Sequence, residues 1–403
     1  MKTAPAQPSV LNSQLAARTP AFGFRTSAFL RPSGFGFRIS RQRGVALIIV
    51  MISIFVLTML ALAFAYAMKV ETKLAANSNN ENEIEWLGRS GVEYARWVLA
   101  MSLMNPMQNY DSLDQPWATG SGMLGNTNNP IAQVQNTVQL PVLNGMGSFT
   151  WKITDLDRKF NINTATEALL QQAFSHIGME AGDTAPIIGS ILNWTASGNN
   201  IHHSQGANPE YYQTLDPPYD AKNGPIDDIS ELMLIRGVTP ELYWGGVFTN
   251  HTPASFQLRA NSRFGSQPDM PIFTAGLVDL FTPVSSGRIN LNTCSAEVLE
   301  IIPPGIDPLV AAEIVGARSG EDDGSGLVGP YRSVVGPGGV GRVPDVTPAV
   351  QRQIQQFCDV HSRTFEVEVT ATVGTSSRTF IAILGRNSPR DVQVLSFCWK
   401  SWK

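Results

Sequence analysis

Residue types able to do chemistry are thinly spread through this 403-residue chain. Its five histidines, His176, His202, His203, His251 and His361, are scattered, and no H-E-x-x-H, G-x-S-x-G or G-x-x-x-x-G-K-[ST] pattern occurs. Metal-assisted hydrolysis, a serine nucleophile and a phosphate cradle therefore lack their residues, and the expectation is a protein that is not an enzyme. His202-His203 lies in a polar Asn/Gly/Ser stretch and reads as solvated. Cys294, Cys358 and Cys398 match no zinc spacing and cannot all pair. They read as small buried hydrophobes, with a Cys358–Cys398 bridge as the alternative. One junction stands apart: Arg41-Gln42-Arg43-Gly44 runs directly into an uncharged stretch that opens at Val45.

That stretch, Val45 to Met68, carries no charge. At helical rise 24 residues reach about 36 Å, enough for a bilayer core of about 30 Å. A cleaved secretory signal needs a shorter apolar run and a small-residue site at its far end, and neither fits. Lys2, Arg18, Arg25, Arg31, Arg38, Arg41 and Arg43 precede Gly44, and no Asp or Glu occurs before Glu71. The positive-inside rule then places the N-terminus in the cytoplasm and everything after Met68 outside. The net charge of −4 hides this asymmetry: with those seven cations set aside, 22 basic residues face 33 acidic ones. An excess near −11 disfavours nucleic acid as a partner for the bulk of the protein.

The elements that follow can be read from periodicity. Ile84, Leu87, Gly91, Ala95 and Val98 recur at three- and four-residue steps, a single apolar stripe on a helix ending near Asn105-Pro106. Residues 105–135, rich in Asn, Gly, Gln and Pro, read as an irregular loop. Phe149, Trp151 and Ile153 alternate as a strand. Phe365 to Val373, Phe380 to Leu384 and Val392 to Trp402, separated by turns, predict an antiparallel meander. Between the strand groups lie helical patterns with an internal repeat: R-G-V-T-P-E-L at 236–242, P-G-I-D-P-L-V at 304–310 and P-D-V-T-P-A-V at 344–350. Thr239, Asp307 and Thr347 are N-cap candidates, each followed by a proline that needs no amide partner at the first helical position. A second repeat, F-N-I-N-T at 160–164 and I-N-L-N-T at 289–293, precedes helices beginning near Ala165 and Ser295.

R-Q-R-G abutting the apolar helix resembles the class III signal of type IV pilins and pseudopilins, where a membrane peptidase cuts after the glycine. E-W-L-G-R-S-G-V-E-Y-A-R at 85–96, D-L-D-R-K at 155–159, the two N-x-N-T repeats, Y-Y-Q-T-L-D-P-P-Y at 211–219 and S-E-L-M-L-I-R-G-V-T-P-E-L-Y at 230–243 extend the resemblance. Together they are similar to the large minor pseudopilins of type II secretion, the general secretion pathway protein K family. The resemblance implies an α+β fold: a membrane helix continuing into a pseudopilin α/β fold with antiparallel sheet, interrupted by a large inserted α-helical domain of helix-hairpin-like (SAM-like) units. The implied segments are 1–44 cleaved leader, 45–68 transmembrane helix, 69–104 stalk, 105–155 first loop and strands, 156–360 inserted domain and 361–403 closing strands.

The same resemblance implies prepilin peptidase cleavage between Gly44 and Val45 and a single-pass protein of the bacterial inner membrane with a periplasmic C-terminal part. It further implies minor and major pseudopilins as partners, with the secretin and the secreted proteins beyond them, and a role capping the tip of the pseudopilus and helping initiate its assembly. Pilins of this kind carry a glutamate at the fifth mature residue, where this chain has Ile49, which agrees with a subunit that has no neighbour above it. The stripe Ile84, Leu87, Gly91, Ala95 and Val98 is expected to join partner subunits, with packing on the strands of Trp151 and Val367 as the competing reading. Calcium is implied through an acidic loop before Y-Y, yet residues 193–212 hold only Glu210. Asp216, Asp220, Asp227 and Asp228 follow, so the expectation is no cofactor, or a weak calcium site, with turns through Asn193, Asn199 and Asn208 ordering the loop. The alternative reading is a membrane-anchored helix-hairpin-helix DNA binder of competence type. Such hairpins need a second glycine to admit phosphate, and Thr239, Asp307 and Thr347 stand there instead.

Overall fold

The computed structural model describes residues 45–104, 109–123, 133–142, 145–197, 203–245, 275–319, 329–336 and 338–400. Helix α1 runs Val45–Ser102. The chain divides into two units, Met1–Val70 and Glu71–Lys403. In the first, the apolar side chains from Val45 to Met68 are exposed, and Ser53 and Thr58 return their hydroxyls to the Ile49 and Ile54 carbonyls. A helix with all backbone groups paired internally and apolar side chains outward is a form that hydrocarbon tolerates.

The second unit is built on a five-stranded antiparallel sheet in the order β11-β10-β9-β4-β3. Its strands are β3 (Thr137–Val142), β4 (Gly145–Asp155), β9 (Thr364–Val373), β10 (Ser376–Ser388) and β11 (Asp391–Trp399). Alternation decides which face is buried: Phe149, Trp151 and Ile153 of β4 and Val367, Val369 and Ala371 of β9 are all in one core. Trp151 stands opposite Val369 and Ile153 opposite Val367. The C-terminal meander expected from the sequence is therefore realised, with Gly374 at φ 59° turning β9 into β10.

The glycines of α1 let it press onto this sheet. A Cβ built on Gly91 would stand 2.4 Å from Val369 Cγ1, and one on Gly88 2.4 Å from the Phe380 ring. Ile84, Leu87, Ala95 and Val98 are buried in the same core. This corrects the assignment of Ile84, Leu87, Gly91, Ala95 and Val98 to a partner interface: the chain's own strands cover the stripe, because a twisted sheet with one apolar face needs a helix on it. Nothing of Ala95 or Val98 is left for another subunit, both being 0 % exposed.

A further departure concerns residues 105–135. The described part is not all irregular: α2 (Pro116–Thr119) and the pair β1 (Gly122–Met123) and β2 (Gln133–Val134) lie within it. Trp117 is responsible, being fully buried edge-on to Phe365 with its indole N–H donated to Gln115 Oε1 at 2.6 Å. Composition hides such an anchor. The expected helix end at Asn105-Pro106 lies outside the described residues.

The chain leaves the sheet at Asp155 and re-enters it at Thr364 on the neighbouring strand, Asp155 standing opposite Phe365. Between them come β5 (Phe160–Asn161), α3 (Glu167–Ile177), α4 (Ala181–Thr195), α5 (Pro209–Gln213), α6 (Pro240–Trp244), α7 (Leu277–Leu280), β6 (Phe281–Thr282), β7 (Ile289–Asn290), α8 (Ala296–Glu300), α9 (Pro308–Ser319), α10 (Pro348–Phe357) and β8 (Cys358–Asp359). These share their own hydrophobic cluster, from Phe160 to Val360. The starts follow the sequence signals: Thr239 Oγ1 accepts from Leu242 N, Asp307 Oδ1 from Leu309 N and Thr347 Oγ1 from Val350 N, with Pro240, Pro308 and Pro348 next. Each such cap is worth about 1 kcal/mol.

Because Gly91 and Val369 share one space, Gly91→Ala is expected to cost about 1–3 kcal/mol by overpacking. Adding Val369→Ala should recover part of that loss. Thermal unfolding of the detergent-solubilised chain reads both; a Gly91→Ala protein as stable as the wild type would refute the close approach.

Candidate functional site

The sequence motifs D-L-D and N-L-N-T meet in one buried polar junction where the sheet joins the helical region. Asp155 and Asp157 lie at the end of β4, Asn290 and Thr293 follow β7, and Ser362 and Thr364 lead into β9. Asp155 Oδ2 accepts from Ser362 Oγ at 2.5 Å, Thr293 Oγ1 at 2.5 Å and Asn290 Nδ2 at 3.3 Å. Asp157 accepts three backbone amides from two distant segments: Ser286 at 2.6 Å, Arg363 at 2.6 Å and Thr364 at 3.2 Å. A third carboxylate, Asp111, receives Arg386 Nη2 at 2.5 Å and the Ser362 amide at 2.9 Å. Arg386 also donates to the Leu99 carbonyl and Ser102 Oγ, tying the end of α1 to the junction, and its guanidinium lies over Phe365.

Burial pushes the Asp155 carboxyl up to about 7, and the neighbouring Asp157 charge adds to this while the Ser362 and Thr293 hydroxyls oppose it. Burial likewise raises Asp157, against the pull of its backbone amides. Apart from Arg386 Nε, which has no hydrogen-bond partner among the described residues, these groups bond to one another and to nearby backbone. The junction's bonds hold distant segments together.

The two N-x-N-T copies do the same mechanical work. In each, the first Asn turns the chain, Asn161 Oδ1 accepting Asn163 N and Asn290 Oδ1 accepting Asn292 N, both at 2.9 Å. In each, the second Asn grips a remote backbone with its amide. Asn163 exchanges bonds with Ile226 (2.7 and 2.9 Å) and Asn292 with Tyr331 (2.7 and 2.9 Å). The repeat marks these asparagines in the sequence, but the grip depends on backbone far along the chain, at Ile226 and Tyr331. Asp111 and Arg386 carry no motif, although an arginine following the apolar run Phe380–Leu384 within β10 was the visible signal.

The remaining candidates are dispersed. Val45 opens α1 and Ile49 lies in its first turns; Gly44, the other side of the expected cleavage site, is outside the described residues, as are His202, His251 and Asn199. His176 Nδ1 lies 3.0 Å from Glu300 Oε2, and His361 Nδ1 3.4 Å from Asp359 Oδ1. All three cysteines are free thiols, Cys294 and Cys358 buried and Cys398 exposed on β11. Among the described residues no three His, Cys, Asp or Glu side chains converge on a point that could hold a metal. Of the calcium candidates, Asp220 accepts from Gln213, Asp227 pairs with Lys222 and Asp228 caps Ser230 N. Glu210 sits in the first turn of α5 and Asp216 in a proline turn. Calcium wants six to eight oxygens, and this donor set does not fit it.

The hairpin starts also bear on nucleic acid. Thr239, Asp307 and Thr347 direct their oxygens at their own helix amides, the groups a phosphate would need. Residues 151–244 match the profile of the family described as type II secretion system (T2SS), protein K. This segment is similar to that family's domain. It spans β4, the first N-x-N-T copy and the first hairpin start. The type II secretion system protein K of Aeromonas hydrophila is 28 % identical over 119 residues, 24 % of this chain and 35 % of that protein. The matched stretch thus spans about a third of that relative's length. A chain in the crystal structure of the GspK-GspI-GspJ complex from enterotoxigenic Escherichia coli superposes with a TM-score of 0.54 at 19 % identity, covering 81 % of this chain and 99 % of that one. At that identity the likeness is one of fold, and it extends well beyond the profile-matched residues 151–244.

The raised Asp155 carboxyl sets a pH dependence. The folded state holds its proton more tightly than the unfolded chain, so this contribution is complete below the ordinary carboxyl range near 4 and is lost as pH rises through about 7. Thermal stability is expected to fall by several degrees between pH 5 and pH 8. Asp155→Asn should flatten the profile, since the Ser362 and Thr293 hydroxyls can turn to accept. An unchanged slope in the variant would place the titration elsewhere.

Proposed function

We propose that this chain is a minor pseudopilin of type II protein secretion that caps the pseudopilus tip and helps initiate its assembly. The observation that carries the reading is a combination. An exposed apolar helix leads the chain, its later part is locked by glycines onto an antiparallel sheet, and the segment similar to protein K begins on β4 of that sheet. In this reading the helical region from β5 to β8 is an inserted domain of helix-hairpin (SAM-like) units, supported by the twice-used asparagine grip and the capped Thr/Asp-Pro starts. Val45 to Met68 anchors the protein in the bacterial inner membrane with the folded part in the periplasm.

Assembly through α1 uses its other flank, because the Gly91 stripe is consumed internally. Trp86, 69 % exposed, and Leu74 lie on the outside of the helix and offer apolar area to other minor pseudopilins. The complex named for the E. coli structure, with GspI and GspJ, is the kind of assembly this implies. Ile49 fits a subunit with none above it: a glutamate there would need a neighbour's amine to offset the cost of a charge in the bilayer. No enzymatic step is assigned to this chain, and no nucleic acid.

Sequencing the N-terminus of the protein from a membrane fraction tests the reading at its most specific bond. The mature chain is expected to start at Val45, and Gly44→Glu should leave the leader attached. A chain cut beyond Met68, or a wild type that is never cut, would overturn the assignment.

A further inference from the structure

The segment from Asp216 to Asp228 is the most acidic stretch near the Tyr211-Tyr212 pair, and one cation serves it. Lys222 Nζ lies 2.6 Å from Asp227 Oδ2 and 2.9 and 3.0 Å from the two oxygens of Glu231. Glu231 Oε1 simultaneously accepts the amides of Asp227 at 3.0 Å and Asp228 at 3.1 Å, closing a capping box at the start of the 3-10 turn Ile229–Leu234. The Glu231 side chain is 19 % exposed and that of Asp227 86 %, so the Lys222–Glu231 pair carries the weight and Asp227 is a solvated rim partner.

Other protein groups fix the same segment elsewhere. Tyr219 donates its hydroxyl to the Leu234 carbonyl at 2.6 Å, Gly224 N bonds to Trp194 O at 3.1 Å, and Ile226 is held on both sides by Asn163. On the preceding side, Asn193 donates to the His203 and Ala207 carbonyls and accepts from His203 N. Asn208, by contrast, makes no side-chain cap bond to α5. Among the described residues, these polar contacts that order the region are made by amides, a hydroxyl and an ammonium of the chain itself. Asp220 accepts from Gln213, Asp228 from Ser230 N, and Asp227 and Glu231 share the Lys222 ammonium, an arrangement in disagreement with the calcium that the family resemblance implies.

We infer that Lys222 is the built-in cation of this region: its ammonium supplies the positive charge that gathers the Asp227–Glu231 turn, so the chain orders it without calcium. The ammonium is a compact charge with three donors, enough for three carboxylate oxygens. It cannot be chelated away, so order here is independent of ambient divalent ions. This inference is separate from the secretion reading and stands or falls on its own test.

Hydrogen exchange of the full detergent-solubilised chain tests it, followed at residues 216–228 in about 1 mM calcium or about 1 mM chelator. Wild-type exchange is expected to be the same in both conditions. Lys222→Gln should exchange about tenfold faster there while β4 and β9 stay protected, and Lys222→Arg should restore most of the protection. Chelator-accelerated exchange in the wild type would show that calcium orders the segment. Lys222→Gln exchange as slow as wild type would show that the ammonium does not. Either result overturns the inference.

Discussion

The fold depends on satisfying three carboxylates buried at one place. Asp111, Asp155 and Asp157 lie where the sheet hands the chain to the helical region, each at most 2 % exposed, with Arg386 the guanidinium buried among them. A buried ion left without its partners costs about 3–5 kcal/mol. The junction forms only when its partners arrive together, and they come from far apart: Ser286 and Asn290 after the first helical half, Ser362 to Thr364 after the second, and Arg386 from β10. Packing of hydrophobic faces alone would leave the helical region free to swing from the sheet. Hydrogen bonds to Asp157 from two separate segments fix it.

The same logic of internal consumption runs through the rest of the protein. Glycines at 88 and 91 let α1 approach the sheet closely, which exhausts the stripe that looked like a binding surface. Side-chain caps at Thr239, Asp307 and Thr347 each take one of the helix amides that a phosphate would meet, and Lys222 takes the Asp227 and Glu231 carboxylates. Among the described residues, exposed apolar area includes the run from Val45 to Met68 and the outer flank of α1 around Trp86. A long exposed apolar helix is suited to a membrane.

Elements governed by local rules were legible in the sequence. The alternation of Phe149, Trp151 and Ile153, the turn at Gly374 and the Thr-Pro and Asp-Pro helix starts each encode their structure within a few residues. The span at Val45 was equally plain, because length and absence of charge suffice. What could not be read were pairings across sequence distance. Whether the stripe of Ile84 and Ala95 faces a partner or the protein's own sheet depends on Val369, nearly 300 positions away, and periodicity is identical in both cases. Trp117 turned a Gly- and Asn-rich stretch into anchored structure for the same reason. Asn290 and Asn292 announced themselves as a repeat, but only coordinates reveal that one asparagine grips Ser362 and the other Tyr331.

The central claim is that the polar junction makes the sheet and the helical region one cooperative body. Differential scanning calorimetry of the full chain in detergent, wild type against Asp157→Ala, tests it most directly. One transition is expected for the wild type, with the variant either splitting it into two or lowering it sharply. Two well-separated transitions already present in the wild type, or a variant that melts as the wild type does, would contradict the account.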